Sequence, residues 1–329
     1  MEIKKLLYDL TKSHTAAHVN FAAKNAAAVL KEFSKVEIFD NYITATVGSG
    51  QKTLMLEAHI DQVCFIVTKV YDDGFLRVSS VGAIDARALP AARVKIYGKE
   101  EISGVFTSVP PHIKKEGSAI ELDGLFIDTG LTSVKDLISE GDLVFFDTEP
   151  TELKNNRFCA TGLDDKAGVT AIISAFSEIA KLNLNLTTTL VLTFGEELGL
   201  RGATVSAFKL NPDCCIAVDV SFGDFEGVPS YKTSPLGSGT MIGISPVLNR
   251  NIYTKLQSIA KENNIPFTLE VMGGKTGTDA DVISISKSGI PTGLISIPLR
   301  NMHSAVEVVS LEDISATAKL ITLFAKEVL

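Results

Sequence analysis

Apolar residues recur along the second half of the chain with two different periods. In Leu163–Lys181 they return every three or four positions, which predicts an amphipathic helix. Short apolar, β-branched runs predict three buried strands, at Thr187–Phe194, Cys214–Val220 and Thr292–Ile297. A further helix is predicted around Asn251–Asn264, and a last one that opens with Ser310 and Asp313 as a capping box. This alternation predicts an α/β fold with a mixed, largely parallel sheet and helices on both faces.

Between residues 70 and 155 the pattern changes to short β-like runs separated by Gly, Pro and Asp turns. These runs are Phe75–Val81, Arg93–Tyr97, Leu125–Ile127 and Leu143–Asp147. Only Ser133–Ile138 shows a helical period there. The pattern predicts a small β-rich domain at 70–155, inserted into an outer α/β domain formed by 1–69 and 156–329. The first part of the outer domain is expected to contain the strand Thr53–Glu57.

The composition is that of an ordinary globular protein. The 329 residues are 45% hydrophobic and 21% charged. The N-terminal segment MEIKKLLYDLTKSHTAAH has a helical pattern, and Asp9 and Lys12 interrupt any signal-like apolar stretch. No uninterrupted apolar stretch reaches the ~18 residues that a membrane-spanning helix needs. We therefore expect a cytoplasmic protein that does not bind a membrane.

Charge and cysteine content narrow the classes of ligand. A net charge of −8 argues against a nucleic-acid surface, which needs Lys and Arg to neutralise phosphates. The four cysteines show no CxxC spacing, so neither a zinc ribbon nor a disulfide framework is predicted. Any metal would then be held by histidines and carboxylates, and the chain contains only five histidines.

His59 and Asp61 stand directly after the strand-like run TLMLEA. In an extended segment residues i and i+2 project to the same side, so the carboxylate could lie beside the imidazole. It would then fix the tautomer of the ring and leave the other nitrogen for a metal. The same pair also fits an ordinary strand end.

Two acidic pairs also flank predicted elements. Asp164 and Asp165 stand at the start of the predicted helix, where one aspartate would suffice as N-cap and partner of the helix dipole. Glu196 and Glu197 follow the strand Thr187–Phe194, where a solvated turn is the simplest alternative.

Asp219 lies near the end of the apolar run IAVDVS. A carboxylate buried there without a partner would cost several kcal/mol, so it must be exposed, paired or bound to metal. His303 follows the strand-like PTGLISIP and could equally be a structural histidine.

All these groups fall at strand ends or helix starts of one predicted α/β domain, where such sheets bind ligands. Several carboxylates converging there would repel one another without a cation. Two divalent ions about 3.5–4 Å apart would relieve this repulsion and create a hydrolytic site. A ligand set of nitrogen and oxygen without thiolate suits zinc, cobalt or manganese.

Six motifs, HID, GLDDKAG, GEELGLRGA, VDVS, GGKTGTDAD and RNMHSAVE, occur in an order that resembles metallopeptidase family 42. These are the tetrahedral aminopeptidases, which include glutamyl and deblocking aminopeptidases. The similarity covers nearly the whole chain and includes LFIDTG in the inserted region. Two departures are the run Gln62, Val63 and Cys64, where the family usually has Glu, an apolar residue and Gly, and HSAVE in place of the commoner HSPVE. Neither removes a ligand, although both could change hydrogen bonds behind the ligands and the preference for a metal.

The resemblance implies two divalent metal ions held by five ligands: His59, Asp164, Glu197, Asp219 and His303. Asp164 would bridge the ions and each histidine would bind one of them. Glu197 would bind one ion and Asp219 the other.

The resemblance also implies roles for three neighbours of these ligands. Glu196 would be the general base that activates a water between the metals. Asp61 would orient His59 without binding metal, and Asp165 would hold the local backbone. In GGKTGTDAD, Thr278 and Asp279 are candidates near the site.

The implied activity is hydrolysis of the N-terminal residue from short peptides by a homo-oligomer, either a tetrahedral dodecamer or a dimer assembled through the inserted domain. A metal-dependent amidohydrolase acting on acylated amines is one alternative. A glycoside hydrolase with paired carboxylates is another, but Trp is absent and the two histidines would have no role. A non-catalytic binding protein would be expected to lack a ligand or the base, and all are present.

Overall fold

The computed structural model describes residues 2–110, 112–113 and 119–328. The described residues form seven α-helices: α1 Ile3–Thr11, α2 Phe21–Leu30, α3 Leu163–Ile179, α4 Arg201–Leu210, α5 Arg250–Glu262, α6 Ala280–Ser284 and α7 Leu311–Glu327. The first ten strands are β1 Thr15–Ala16, β2 Val19–Asn20, β3 Val36–Ile38, β4 Tyr42–Val47, β5 Lys52–His59, β6 Cys64–Val70, β7 Phe75–Val81, β8 Arg93–Tyr97, β9 Glu101–Phe106 and β10 Ile127–Asp128. The others are β11 Leu143–Phe146, β12 Thr151–Leu153, β13 Arg157–Ala160, β14 Leu186–Thr193, β15 Cys214–Phe222, β16 Thr240–Ile244, β17 Phe267–Val271, β18 Thr292–Arg300 and β19 Glu307–Ser310.

One large mixed sheet carries the fold. Its strand order is β12-β13-β19-β18-β15-β5-β14-β4-β3, and β16 pairs with both β18 and β17. The four central strands β18, β15, β5 and β14 are parallel, whereas the flanking strands of this path pair antiparallel. The predicted mixed α/β fold is thus confirmed, and its parallel part is the centre of the sheet.

Helices cover both faces of this sheet because the central strands are apolar on both sides. In β5, Leu54 and Leu56 pack with α1, α2, α3, α5 and α7, while Met55 packs with α4 and α6 on the other face. The predicted helix α3 is confirmed, but nearly all of its residues are buried rather than one stripe. Ala, Gly and Ser on its second face let it lie between the sheet and α1 and α7.

Six strands close into a barrel in the order β10-β7-β6-β11-β8-β9. The barrel has a core of its own, centred on Phe65, Phe106 and Phe146. Its first strand begins at Cys64 and its last ends at Phe146. The predicted boundaries at 70 and 155, and the role of this region in assembly, stay predictions.

Most predicted elements are confirmed to within a few residues, and three details are wrong. Ser133–Ile138 is a turn, because its only local bonds are those of Leu137 and Ile138 N–H to the carbonyl of Val134. Of Leu125–Ile127, only Ile127 lies in a strand.

The third detail is the capping box at α7. The Ser310 side chain makes no capping hydrogen bond, and the Asp313 carboxylate instead accepts from the N–H groups of Gly237 and Gly239 at 2.7 and 2.8 Å. The helix α7 itself is confirmed, and Leu329, at the predicted end, lies outside the described residues. Among the described residues, no helix combines the length and the apolar character that crossing a bilayer requires.

Candidate metal centre

The predicted site residues gather where the central strands end. His59 is the last residue of β5, and Asp219 lies in the neighbouring parallel strand β15. Glu197 follows β14 and His303 follows β18. The carboxyl ends of parallel strands meet at one edge of the sheet, which brings these four side chains together.

We call His59, Asp219 and Oδ1 of Asp164 the inner half-site. The His59 Nε2 atom lies 3.1 Å from Asp164 Oδ1 and 3.7 Å from Asp219 Oδ1. His59 and Asp219 are 2% and 7% exposed, so this half-site is shielded from solvent. The His59 Nδ1 atom lies 3.1 Å from the main-chain oxygen of Asp61. Since a carbonyl only accepts, Nδ1 carries the hydrogen and Nε2 is left for a metal.

We call His303, Glu197 and Oδ2 of Asp164 the outer half-site. The His303 Nε2 atom lies 3.2 Å from Asp164 Oδ2 and 3.3 Å from Glu197 Oε1. The His303 side chain is 26% exposed, and its backbone has a left-handed φ of 59°. Its Nδ1 atom lies 2.7 Å from the carbonyl of Ala83, in the loop after β7. The same tautomer argument therefore leaves Nε2 for a metal.

Asp61 contacts His59 differently from the sequence-based expectation. Its main-chain carbonyl holds the imidazole, and its carboxylate Oδ1 is 3.8 Å from Nδ1. The reason is that β5 ends at His59, so the i, i+2 geometry of a strand does not extend to Asp61. The Asp61 carboxylate accepts instead from the N–H of Glu196 at 3.2 Å. Asp61 thereby connects the segment after β5 to the segment after β14.

Asp164 and Asp165 open α3 with backbone angles that are not helical. Asp165 Oδ1 accepts from the N–H of Gly168 at 2.9 Å, as an N-cap does. Its carboxylate also approaches His59 and Asp219, with ligand atoms all within 4.8 Å of one another. Sequence reasoning gave Asp165 only a backbone role, and the geometry adds it as a candidate ligand of the inner half-site.

The residues present fit divalent metals. Oδ2 of Asp165 is buried and has no hydrogen-bond partner among the described residues, and the buried Oε1 of Glu197 has only the imidazole of His303 beside it. Burial opposes a charge on His303, yet hydrogen bonds to Asp164 and Glu197 raise the pKa of the imidazole to about 11. In the same way Asp164 and Asp219 raise the pKa of His59 well above its usual value. The carboxylates thus stabilise a positive charge between them, which is a protonated imidazole when no metal is bound.

Glu196 lies beside this centre without contacting either histidine within ion-pair distance. It lines a cavity of about 320 Å3 that also contains His59, Asp164, Asp219 and His303. Burial raises the pKa of Glu196 to about 9, although the charge of His59 opposes this shift. Three nearby carboxylates add to the effect of burial: Asp219, Asp279 and Glu197. Thr278 lines the same cavity, and the neighbouring Asp279 is buried.

Sequence reasoning missed Glu307, whose carboxylate connects the backbone segments that carry Asp164 and His303. Its Oε2 accepts from the N–H groups of Leu163 and Asp164 at 2.7 and 3.2 Å. Its Oε1 accepts from the N–H of His303 at 2.8 Å. Burial raises the pKa of Glu307 to about 8. The available signal was a glutamate at the start of an apolar run, in the motif that supplies His303.

Glu57 was also missed, although it lies within the buried strand β5. The hydroxyl of Thr193 is 2.9 Å from Glu57 Oε1 and 2.8 Å from Asp279 Oδ2. Burial and the neighbouring Asp279 raise the pKa of Glu57 well above its usual value. The argument that singled out Asp219 in an apolar strand applies equally to Glu57 and would have found it.

Histidines and carboxylates whose ligand atoms lie within 4.8 Å of one another, beyond the ends of parallel strands, are typical of a metal-dependent hydrolase. Residues 41–320 match the family described as M42 glutamyl aminopeptidase. The chain belongs to this family, which confirms the resemblance seen in the motifs, and it is a metal-dependent aminopeptidase.

Relatives extend over almost the whole chain. It is 31% identical over 302 residues to a lysyl aminopeptidase of Pyrococcus furiosus, covering 89% of this chain and 86% of the relative. The solved aminopeptidase APDkam598 of Desulfurococcus kamchatkensis is 31% identical, with a TM-score of 0.92 over 99% of this chain and 94% of its own. The TET1 peptidase of Pyrococcus horikoshii, described as assembling into a tetrahedron or a large octahedral shell, is 28% identical. Its TM-score is 0.87, with 99% and 100% of the two chains covered.

Proposed function

We propose that the protein is a two-metal aminopeptidase that removes the N-terminal residue from short peptides. The observation that carries this proposal is the position of Asp164 between the histidines. Its Oδ1 lies 3.1 Å from Nε2 of His59, and its Oδ2 lies 3.2 Å from Nε2 of His303. One carboxylate that serves two imidazoles in this way is arranged to bridge two cations.

In this proposal His59 and Asp219 would hold the inner metal, and His303 and Glu197 would hold the outer one. Asp164 would be a ligand shared by both. Zinc, cobalt and manganese all suit these nitrogen and oxygen ligands. Bound divalent cations would polarise the peptide carbonyl and lower the pKa of the attacking water.

Glu196 is the group that moves the proton. The adjacent Glu197 is engaged, with Oε1 3.3 Å from His303 Nε2, whereas the Glu196 carboxylate lines the cavity. Its pKa of about 9 without metal places a proton on it at neutral pH, and cations nearby would lower that pKa. The ionised carboxylate accepts a proton from the attacking water and then donates it to the nitrogen of the leaving amine.

The cavity supports a substrate of limited size. Its volume of about 320 Å3 is at the lower end of small-molecule sites. It therefore accommodates the end of a peptide rather than a folded chain. The relative named lysyl aminopeptidase supports a terminal residue as the group released.

The quaternary structure is part of the proposal. Residues 1–69 and 156–329 would form the catalytic domain, and 70–155 would mediate assembly into a homo-oligomer. The tetrahedral shell described for the TET1 peptidase supports a dodecamer. Sedimentation velocity would distinguish a dodecamer from a dimer. The cytoplasmic location expected from the sequence stays a prediction.

The experiment is hydrolysis of chromogenic aminoacyl anilides after chelation and after Zn²⁺, Co²⁺ or Mn²⁺ is added back. We expect chelation to abolish activity and a divalent metal to restore it. Glu196→Gln should lower kcat by about 10²- to 10⁴-fold, the usual contribution of a general base. Its metal content should remain that of the wild type, since Glu196 is not a ligand.

Glu262→Gln is the matched control, because it removes an exposed carboxylate at the end of α5. It should keep full activity. If Glu196→Gln stays active with both metals bound, Glu196 is not the base. If the metal-loaded wild type leaves every anilide intact but hydrolyses N-acylated amines, the amidohydrolase alternative replaces the aminopeptidase.

A further inference from the structure

Glu270 places a carboxylate in the wall of the catalytic cavity but outside both half-sites. It lies on β17, and the cavity that contains Glu196 and His303 also contains Glu270. Its Oε2 accepts from the hydroxyl of Ser296 at 2.7 Å, and its Oε1 accepts from the hydroxyl of Ser221. These contacts fix the direction of the carboxylate.

The strand register sets the distance between Glu270 and the metal centre. Ser221 follows Asp219 by two residues in β15, so both side chains lie on the same face of the sheet. Two residues of a strand span about 7 Å. Ser296, the other partner of Glu270, pairs in register with Asp219 across β15 and β18. The carboxylate of Glu270 is therefore roughly one long side chain away from the inner half-site.

The charge of Glu270 has no partner in the cavity. Among the described residues, no Lys or Arg lies within 4.0 Å of its carboxylate, and none lines this cavity. Lys232 lines an adjoining cavity that shares Glu270, but its Nζ lies 5.9 Å from the centroid of the Tyr231 ring. Each serine donates its single proton to Glu270, which leaves further lone pairs of the carboxylate for a ligand.

The remaining wall suits an aliphatic chain. Phe222, Met272 and Met302 line the same cavity as Glu270 and the histidines of the metal centre. Such side chains contact methylene groups, and methionine adapts to chains of different shape. Long basic side chains combine a methylene stem with a charged head, which matches an apolar wall with a carboxylate.

We propose that Glu270 is a specificity-determining residue that binds the side-chain cation of an N-terminal lysine or arginine. This inference rests on the proposed aminopeptidase function. The α-carbon of the terminal residue lies near the half-sites, and its stem passes the apolar wall. The ammonium or guanidinium group then donates hydrogen bonds to Glu270. Charge-assisted bonds of this kind are the stronger ones in proteins.

The test compares the p-nitroanilides of lysine and norleucine, which have stems of equal length and differ in the terminal ammonium. In the metal-loaded wild type we expect kcat/KM for lysine to exceed that for norleucine by about tenfold or more. Glu270→Gln keeps the shape and an oxygen for a serine but removes the charge. It should lower kcat/KM for lysine by about 10- to 100-fold and change that for norleucine by less than about threefold.

Glu270→Asp keeps the charge on a shorter side chain and should retain part of the preference for lysine. Metal content and thermal stability of each variant show whether the fold is intact. Equal cleavage of both anilides by the wild type, or an equal loss on both in Glu270→Gln, would overturn the proposal while the aminopeptidase function stands. If the wild type cleaves no aminoacyl anilide, the proposed function and this inference fall together.

Discussion

The two half-sites hold similar ligands on different supports. In the inner half-site, His59 and Asp219 belong to adjacent parallel strands and are almost completely buried. In the outer half-site, Glu197 and His303 lie in loops after their strands, and the His303 side chain is 26% exposed. The inner imidazole is held by its own segment through Asp61, whereas the outer one is held by Ala83 from the loop after β7.

The sheet therefore determines the positions of the ligands in the inner half-site, whereas loops determine those in the outer half-site. Strand residues are placed by a ladder of backbone hydrogen bonds, so the inner half-site follows from the fold of the central sheet. The outer half-site depends on loop contacts, among them one to the segment that continues from the barrel strand β7. We therefore expect the inner half-site to bind metal more firmly and the outer one to be more sensitive to changes around it.

The largest expected effect concerns the carboxylate that both half-sites share. Asp164→Asn should weaken binding of both metals and lower kcat/KM by about 10³-fold or more, because each cation loses an anionic ligand. Metal analysis after dialysis and anilide hydrolysis measure both effects. If the variant loses only one metal, Asp164 does not bridge, and the half-sites are independent.

Asp165→Asn is the matched comparison at the next position. Burial and the neighbouring carboxylate of Asp219 raise the pKa of Asp165 well above its usual value. If Asp165 only supports the start of α3, the amide oxygen of the variant should still accept from the N–H of Gly168. The variant should then still bind both metals. Loss of the inner metal in this variant would show that Asp165 is a ligand.

The sequence predicted where His59 and Asp219 lie, but it did not predict how Asp61 contacts His59. Runs of apolar residues locate β5 and β15, so the position of His59 and Asp219 at one sheet edge follows from strand pattern alone. The contact of Asp61 did not follow, because it depends on where β5 stops, and apolar patterns place strand ends only approximately. The ion assignments came from the family motifs, since spacing along a chain does not determine which side chains meet.

A further prediction compares how much each half-site contributes to the stability of the metal-free protein. His59→Gln should lower the free energy of unfolding of the chelated protein by about 3–5 kcal/mol, since the buried carboxylates of Asp164 and Asp219 lose their cationic partner. His303→Gln should cost about 1–2 kcal/mol, because the His303 side chain itself is 26% exposed and its charge is better solvated than that of His59. Urea unfolding at pH 7 in the presence of chelator measures both values.

His18→Gln, at an exposed position, is the control and should leave stability unchanged. Equal losses in the His59 and His303 variants would contradict the proposed difference between the half-sites. A larger loss in His303→Gln would reverse it and make the loop contacts the main support of the centre.

Of the two residues that sequence reasoning missed, Glu307 contacts backbone groups rather than a ligand atom of the half-sites. Glu307 accepts hydrogen bonds from the N–H groups of Leu163, Asp164 and His303, which lie in segments that the pairing of β19 with β18 and β13 brings together. No period or motif spacing encodes such a junction. Glu57 is different, because a charged residue in an apolar strand is visible in the sequence once burial is expected.

The smallest expected effect comes from Glu307→Gln, which tests whether the two half-sites are coupled through this junction. The amide keeps the volume but turns one acceptor into a donor that faces backbone N–H groups, so one ligand segment loses its support. Changes behind metal ligands usually weaken metal binding by about 10- to 100-fold. The outer metal should lose more affinity than the inner one, since His303 lies on a loop while His59 lies on a strand.

Stepwise titration against a competing chelator measures the two affinities, with Glu312→Gln on the exposed start of α7 as the control. If stability falls while both affinities stay at the wild-type values, Glu307 supports only the fold. If both affinities fall equally, the strand does not protect the inner half-site as the comparison requires.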